Sequence, residues 1–119
     1  LDFFVNGLGD VMLAAVGLSH YASYSATKGG IVAFPRALAV EWARHNIQVN
    51  AIAPGWFVTD MNAHAFADEK LRERFLRDIP MRRTGREEEI GPLAVYLASP
   101  ASDFMTGQTI YLDGGHSAA

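Results

Sequence analysis

The chain has 119 residues, of which 50% are hydrophobic and 19% charged, a globular balance that excludes disorder and fits one domain rather than two. A formal charge of −3 supplies no basic field for phosphates, so neither nucleic acid nor an anionic membrane is an expected partner. With no cysteine there is no disulfide scaffold, thiol nucleophile or cysteine-ligated metal, and a reduced, cytoplasmic setting fits.

Charge is spread unevenly. Asp2, Asp10 and Lys28 are the only charged residues in the first 35, whereas fourteen fall between Asp68 and Glu89, so the first third reads as interior and the later run as a solvated face. The charge-free stretch 11–27 is too short and too polar to span a bilayer comfortably, and no basic segment marks a signal peptide. Residues 25–45 are predicted helical, because Ile31, Phe34, Leu38 and Trp42 recur at three- and four-residue steps. Pro35 inside that run predicts a kink or a locally satisfied carbonyl.

Residues 47–53, Ile-Gln-Val-Asn-Ala-Ile-Ala, read as a buried strand stopped by Pro54-Gly55, with a loop at its carboxyl end. A short amphipathic helix is expected over 68–77 from Leu71, Phe75 and Leu76. Another is expected over 87–98, with Ile90, Leu93, Ala94 and Leu97 inward. Thr109-Ile110-Tyr111-Leu112 reads as a last strand closed by Asp113-Gly114-Gly115. The alternation of helix and strand predicts an α/β fold with a parallel sheet.

Tyr24 and Lys28 stand four apart at the start of the long helix, on one face and about one turn apart. A phenol with a pKa near 10 is a poor acid–base group at neutral pH. A neighbouring ammonium and the helix N-terminus both favour the phenolate and pull that value down, which suits proton exchange with a carbonyl or alcohol oxygen. The plainer reading is a helix-start tyrosine beside a solvated lysine. His20, His45, His64 and His116 show no ligand spacing, so no metal site is expected. His20, four residues before Tyr24, either faces a substrate carbonyl or caps the turn.

Four ordered motifs settle between these readings: Tyr24-Ser25-Ala26-Thr27-Lys28-Gly29-Gly30; Val49-Asn50-Ala51-Ile52-Ala53-Pro54-Gly55 with Thr59 following; Arg83-Thr84-Gly85-Arg86-Glu87-Glu88-Glu89-Ile90; and Thr106-Gly107-Gln108 with Asp113-Gly114-Gly115. From about Tyr21 onward they resemble the C-terminal half of a short-chain dehydrogenase/reductase. The resemblance implies a Rossmann-like, doubly wound parallel sheet represented by its C-terminal portion, with residues 1–119 part of a single dinucleotide-binding oxidoreductase domain and 1–20 poorly matched. It implies NAD or NADP as cofactor and hydride transfer to or from a small-molecule carbonyl or alcohol. By position Tyr24 would be the general acid–base, and Lys28 would lower its pKa and hydrogen-bond the nicotinamide ribose. Pro54 and Gly55 would bring main chain close to the nicotinamide, with the backbone at Phe57 and the Thr59 hydroxyl holding the carboxamide or a phosphate.

Trp56, Phe57, Met61 and the residues up to Arg83 would then form a mobile substrate loop. Asp60, Asn62 and His64 beside its apolar groups would suit a polar ketone or sugar-like carbonyl, or the loop packs on its own apolar residues. Arg82, Arg83 and Arg86 would attract an acidic substrate, but Glu87, Glu88 and Glu89 offset them, and a solvated surface run is the plainer reading. The apolar helix residues, with Phe104, Met105, Tyr111 and Leu112, predict a homodimer or a homotetramer.

The sequence departs from the family in two places. No glycine-rich turn for the pyrophosphate is present, since Gly7-Leu8-Gly9 lacks a third glycine and lies too close to Tyr24. The position thirteen before the tyrosine, where the family has a serine, is Val11; a shifted register offers Ala14 or Ala15, and Ser19 lies too near the helix. Phe4-Val5-Asn6-Gly7-Leu8 either echoes the family helix carrying an asparagine or is the strand before the serine. Three expectations follow: part of a longer reductase, a truncated non-catalytic relative acting as an oligomerisation or interaction module, or a half-chain completed by another.

Overall fold

The run of small and β-branched residues expected to be a strand forms the centre of the sheet in the computed structural model, which describes residues 2–6, 22–60 and 63–119. Strand β1 is Asp2–Asn6, helix α1 Ala22–Trp42, β2 Gln48–Pro54, α2 Ala63–Ala67, α3 Glu69–Arg77, α4 Glu87–Ala98 and β3 Thr109–Leu112. Single 3-10 turns follow α1, α4 and β3 at Ala43–His45, Pro100–Ser102 and His116–Ala118. The three strands are parallel in the order β1-β2-β3, with Asn6 opposite Ile52 and Ala51 opposite Thr109.

The Phe4-Val5-Asn6 run is thus a strand, the second of the two alternatives left by its sequence. β2 has a neighbour on each side and α1 against one face. Its residues Val49 to Pro54 are all buried, which is why they read as an unbroken run of small and apolar groups rather than an alternation.

Helix α1 begins three residues earlier than its periodicity suggested, and its last turn tightens into the 3-10 turn at Ala43–His45. Asn46 ends it in the left-handed conformation (φ 57°), its N–H donating to the Ala43 carbonyl at 2.9 Å, a position that asparagine tolerates better than most residues. The helix continues through Pro35, whose ring is almost wholly buried, so packing offsets the missing backbone donor. The helices expected at 68–77 and 87–98 are present, and Leu97 is the buried anchor of the second. The one-turn-plus α2 had no periodic signal, being too short to show one.

The Thr106-Gly107-Gln108 motif has a structural purpose. The Thr106 hydroxyl accepts the Val49 N–H at 3.0 Å, and the Gly107 N–H donates to the Val49 carbonyl at 2.7 Å. Gly107 adopts φ +73° with the Ala39 methyl nearby, so a side chain there would be strained twice over. Asn50, 4% exposed, completes the seam: its Nδ2 donates to the Met105 carbonyl at 2.9 Å and its Oδ1 accepts the Gln108 N–H at 3.1 Å. Asn50→Ala would leave both backbone groups unpaired in a buried place. The expected loss is about 2 kcal/mol, read as a lower urea midpoint with an unchanged slope.

Candidate active site

Ligands of parallel α/β sheets bind outside the carboxyl ends of the strands. Here that edge is formed by Asn6, Pro54 and Leu112. The short connection 43–47 reverses the chain between α1 and β2, so α1, about 30 Å long, runs back along β2 and starts toward the same edge. Tyr24 is its third residue and Lys28 its seventh, so the two positions fall one turn apart within the first two turns. His20, Ser19, Ala15, Ala14, Val11, Met61 and Asn62 lie outside the described residues.

The remaining predicted residues are contiguous. Pro54 and Gly55 are buried at the end of β2, and the Gly55 N–H donates to the Leu112 carbonyl at 3.0 Å. A Cβ on Gly55 would sit 2.7 Å from the Asp113 Cα, so glycine is required here by the neighbouring strand end itself. Phe57 is 7% exposed and its backbone pairs with Gly85, whose N–H donates to the Trp56 carbonyl at 2.8 Å. The Phe57 ring lies where a Gly85 side chain would have to go. Thr59 follows, half-buried.

The Phe57–Gly85 pairing means that the chain leaves the sheet edge and returns to the same place. The excursion between them carries α2 and α3 and is the segment that the family resemblance casts as a lid. Its interior is the aromatic cluster of Trp56, Phe66 and Phe75, with ring centroids 5.0 to 6.4 Å apart. Asp68 caps α3, its carboxylate accepting the Leu71 N–H at 3.2 Å.

Two anchors hold the lid's return, and neither was legible in the sequence. The first is Asp113, whose carboxylate accepts the N–H groups of Gly115 (2.9 Å) and Ser117 (2.8 Å). Partial burial pushes this carboxyl up, but the Ser117 and Gly115 hydrogen bonds and nearby His116 outweigh it and hold it below its ordinary 3.8. The turn so fixed presents the Gly114 carbonyl to the Met81 N–H at 3.1 Å and covers Ile79, which is 1% exposed.

The second anchor is Glu89. It accepts both Arg83 Nη1 (2.9 Å) and Nη2 (2.7 Å), and reaches back to the Arg86 N–H (2.8 Å) at the start of α4. The Arg83 hydrogen bonds, then the Arg86 backbone bond, lower its carboxyl from 4.5 to about 2. The arginine and glutamate run expected to be merely solvated is therefore partly paired. Among the described residues no cluster of three or more His, Asp or Glu is placed to hold a metal ion, and no helix is long and apolar enough to cross a membrane.

A family model described as enoyl-(acyl carrier protein) reductase matches residues 10–117. The chain belongs to the short-chain dehydrogenase/reductase family. It is 40% identical over 104 residues to a 3-oxoacyl-(acyl-carrier-protein) reductase of Chlamydia pneumoniae, covering 87% of this chain and 41% of that protein. It is 45% identical over 105 residues to a 2-dehydro-3-deoxy-D-gluconate 5-dehydrogenase of Escherichia coli, with coverages of 87% and 41%. A gluconate 5-dehydrogenase from Burkholderia cenocepacia, solved in complex with NADP and tartrate, superposes with a TM-score of 0.82 at 34% identity over 98% of this chain and 45% of that one. The chain thus spans less than half the length of these relatives, and its sheet is the C-terminal portion of their Rossmann fold.

Because the Glu89 carboxyl is depressed in the folded chain, the stability it adds is complete above pH 4.5 and is lost as the pH falls toward 2. The difference in urea midpoint between the parent and Glu89→Gln should therefore be constant from pH 7 to 5 and shrink toward zero near pH 2.

Proposed function

We propose that the protein is an NAD(P)-dependent oxidoreductase that interconverts a carbonyl and an alcohol on a small molecule, with Tyr24 as general acid–base. The observation that carries this reading is the placement of Tyr24 and Lys28 in the first two turns of a helix starting toward the sheet edge where Pro54 and Gly55 end β2. The relatives support it, since they include reductases and dehydrogenases and one was solved with NADP.

The donor set at that edge suits the nicotinamide end of such a cofactor. Gly55 offers main chain without a side chain, and the Phe57 backbone and the Thr59 hydroxyl would hold a carboxamide or phosphate. When bound, the cofactor supplies or accepts hydride at the substrate carbon. Tyr24 would give its phenolic proton to the substrate oxygen in reduction and remove it in oxidation. Lys28, one turn on, would stabilise the phenolate and hydrogen-bond the nicotinamide ribose. The N-terminal end of the α1 dipole would add positive potential in the same direction, bringing the phenol toward the pH at which it can work.

The exposed apolar residues support association as well. Phe34 (58% exposed) and Val40 (81%) on α1 and Val95 (68%) on α4 are large for a solvated surface, which favours a homodimer or homotetramer built on these helices. The same surfaces carry the second reading, an interaction module without catalysis. A cytoplasmic location fits the absence of cysteine.

Tyr24→Phe should lower turnover by about 10²-fold or more while dinucleotide affinity changes by no more than a few fold, measured by steady-state kinetics and cofactor fluorescence; retained turnover would favour the second reading. Sedimentation at micromolar concentration should give a mass of at least two chains, and a monomer would count against the helix-mediated assembly.

A further inference from the structure

Between the loop that leaves β2, the helices α2 and α3 and the segment 82–84 lies a cavity of about 340 Å3, within the size range of small-molecule sites. Val58, Phe66 and Leu76 give it apolar walls, Arg72, Arg82 and Arg83 also line it, and among the described residues no carboxylate does. Arg83 is already committed, since two of its donors lie on Glu89. The other two are not neutralised in this way.

Arg82 is unusual in its backbone. It adopts φ 54°, the left-handed region that disfavours any residue with a Cβ, where glycine would be free of strain. Its N–H donates to the Ile79 carbonyl at 2.8 Å, and its Nη1 donates to the Arg77 carbonyl at 2.6 Å, which ties the guanidinium and leaves most of its donors unused. Arg72, on α3, makes no ion pair among the described residues. A strained arginine held by two hydrogen bonds, lining the same partly apolar cavity as an arginine without an ion pair among the described residues, is an arrangement for taking up an anion.

We infer that Arg72 and Arg82 bind the carboxylate of an oxo- or hydroxy-acid substrate whose neutral part fills this cavity. This names the substrate class of the oxidoreductase reading and rests on it. The planar guanidinium fork matches a carboxylate bidentately. Exposed guanidiniums alone attract an anion weakly in water, and the apolar walls strengthen the attraction by removing solvent from one side. A cofactor phosphate offers similar oxygens, and titration with NADP distinguishes it from a substrate carboxylate.

Gluconate and glucitol distinguish the charge from the carbon skeleton, since they differ by a carboxylate in place of a hydroxymethyl group. Each is titrated into the purified protein without cofactor, following the fluorescence of Trp56, whose ring centroid is 6.4 Å from that of Phe66. Gluconate is expected to bind at least about tenfold more tightly than glucitol at low salt, with the preference shrinking as salt rises. Arg72→Gln and Arg82→Gln each should weaken gluconate about tenfold and leave glucitol unchanged, with Arg82→Lys recovering part of the loss.

Equal affinity for the two probes, no binding of gluconate, or unchanged gluconate affinity in both glutamine variants would overturn the inference. NADP is titrated in parallel: affinity within about twofold of the parent supports the substrate carboxylate, whereas a loss for NADP with none for gluconate assigns the arginines to a cofactor phosphate and overturns it. The readout needs no turnover, so the anion site and the oxidoreductase reading can fail separately.

Discussion

Burial of β2 on both faces and along both edges is the constraint on which the rest of the described structure depends. A strand with Val49 to Pro54 all out of solvent must satisfy every backbone donor and acceptor internally. β1 supplies one edge and β3 the other, and the segment before β3 continues the pairing through Thr106, Gly107 and Gln108. Asn50 is the polar exception inside this strand, and it is tolerated because both ends of its amide are used on that same segment. The side chains themselves are small because α1 lies close against them.

From that fixed strand the site is assembled by short reach. The carboxyl end of β2 touches the end of β3 where Gly55 meets Asp113, and the turn after β3 reaches the lid's return through Gly114 and Met81. The lid therefore departs from one strand and is held by the other. Its second fastening, Glu89 on Arg83 and Arg86, belongs to the start of α4, so the lid's exit and the helix N-terminus share one carboxylate.

Much of this was readable in advance. The strand at 109–112 and the helix at 87–98 were expected with the limits they have, because a β-branched run stopped by Asp-Gly-Gly and a periodic apolar face are both local signals. Motif order carried the family, and with it the places of Tyr24, Lys28, Pro54, Gly55, Phe57 and Thr59, whose roles remain those of the proposal above. What stayed hidden were interactions between residues distant in sequence. Nothing local distinguishes Asp113 from any turn aspartate, or Glu89 from its neighbours Glu87 and Glu88, until the chain has folded and only one of the three reaches Arg83.

The sequence by itself determined the long helix, β2, β3 and the helices near 68–77 and 87–98, the parallel α/β class and the spacing of Tyr24 and Lys28, since each depends on periodicity or on order along the chain. Tertiary structure alone decided that Phe4-Val5-Asn6 is a strand beside β2, that Gly55 yields its side chain to Asp113, and that Arg82 stands strained beside Arg72 at one cavity. Those facts turn on distances between residues far apart in the chain, and such distances exist only once β2 is buried.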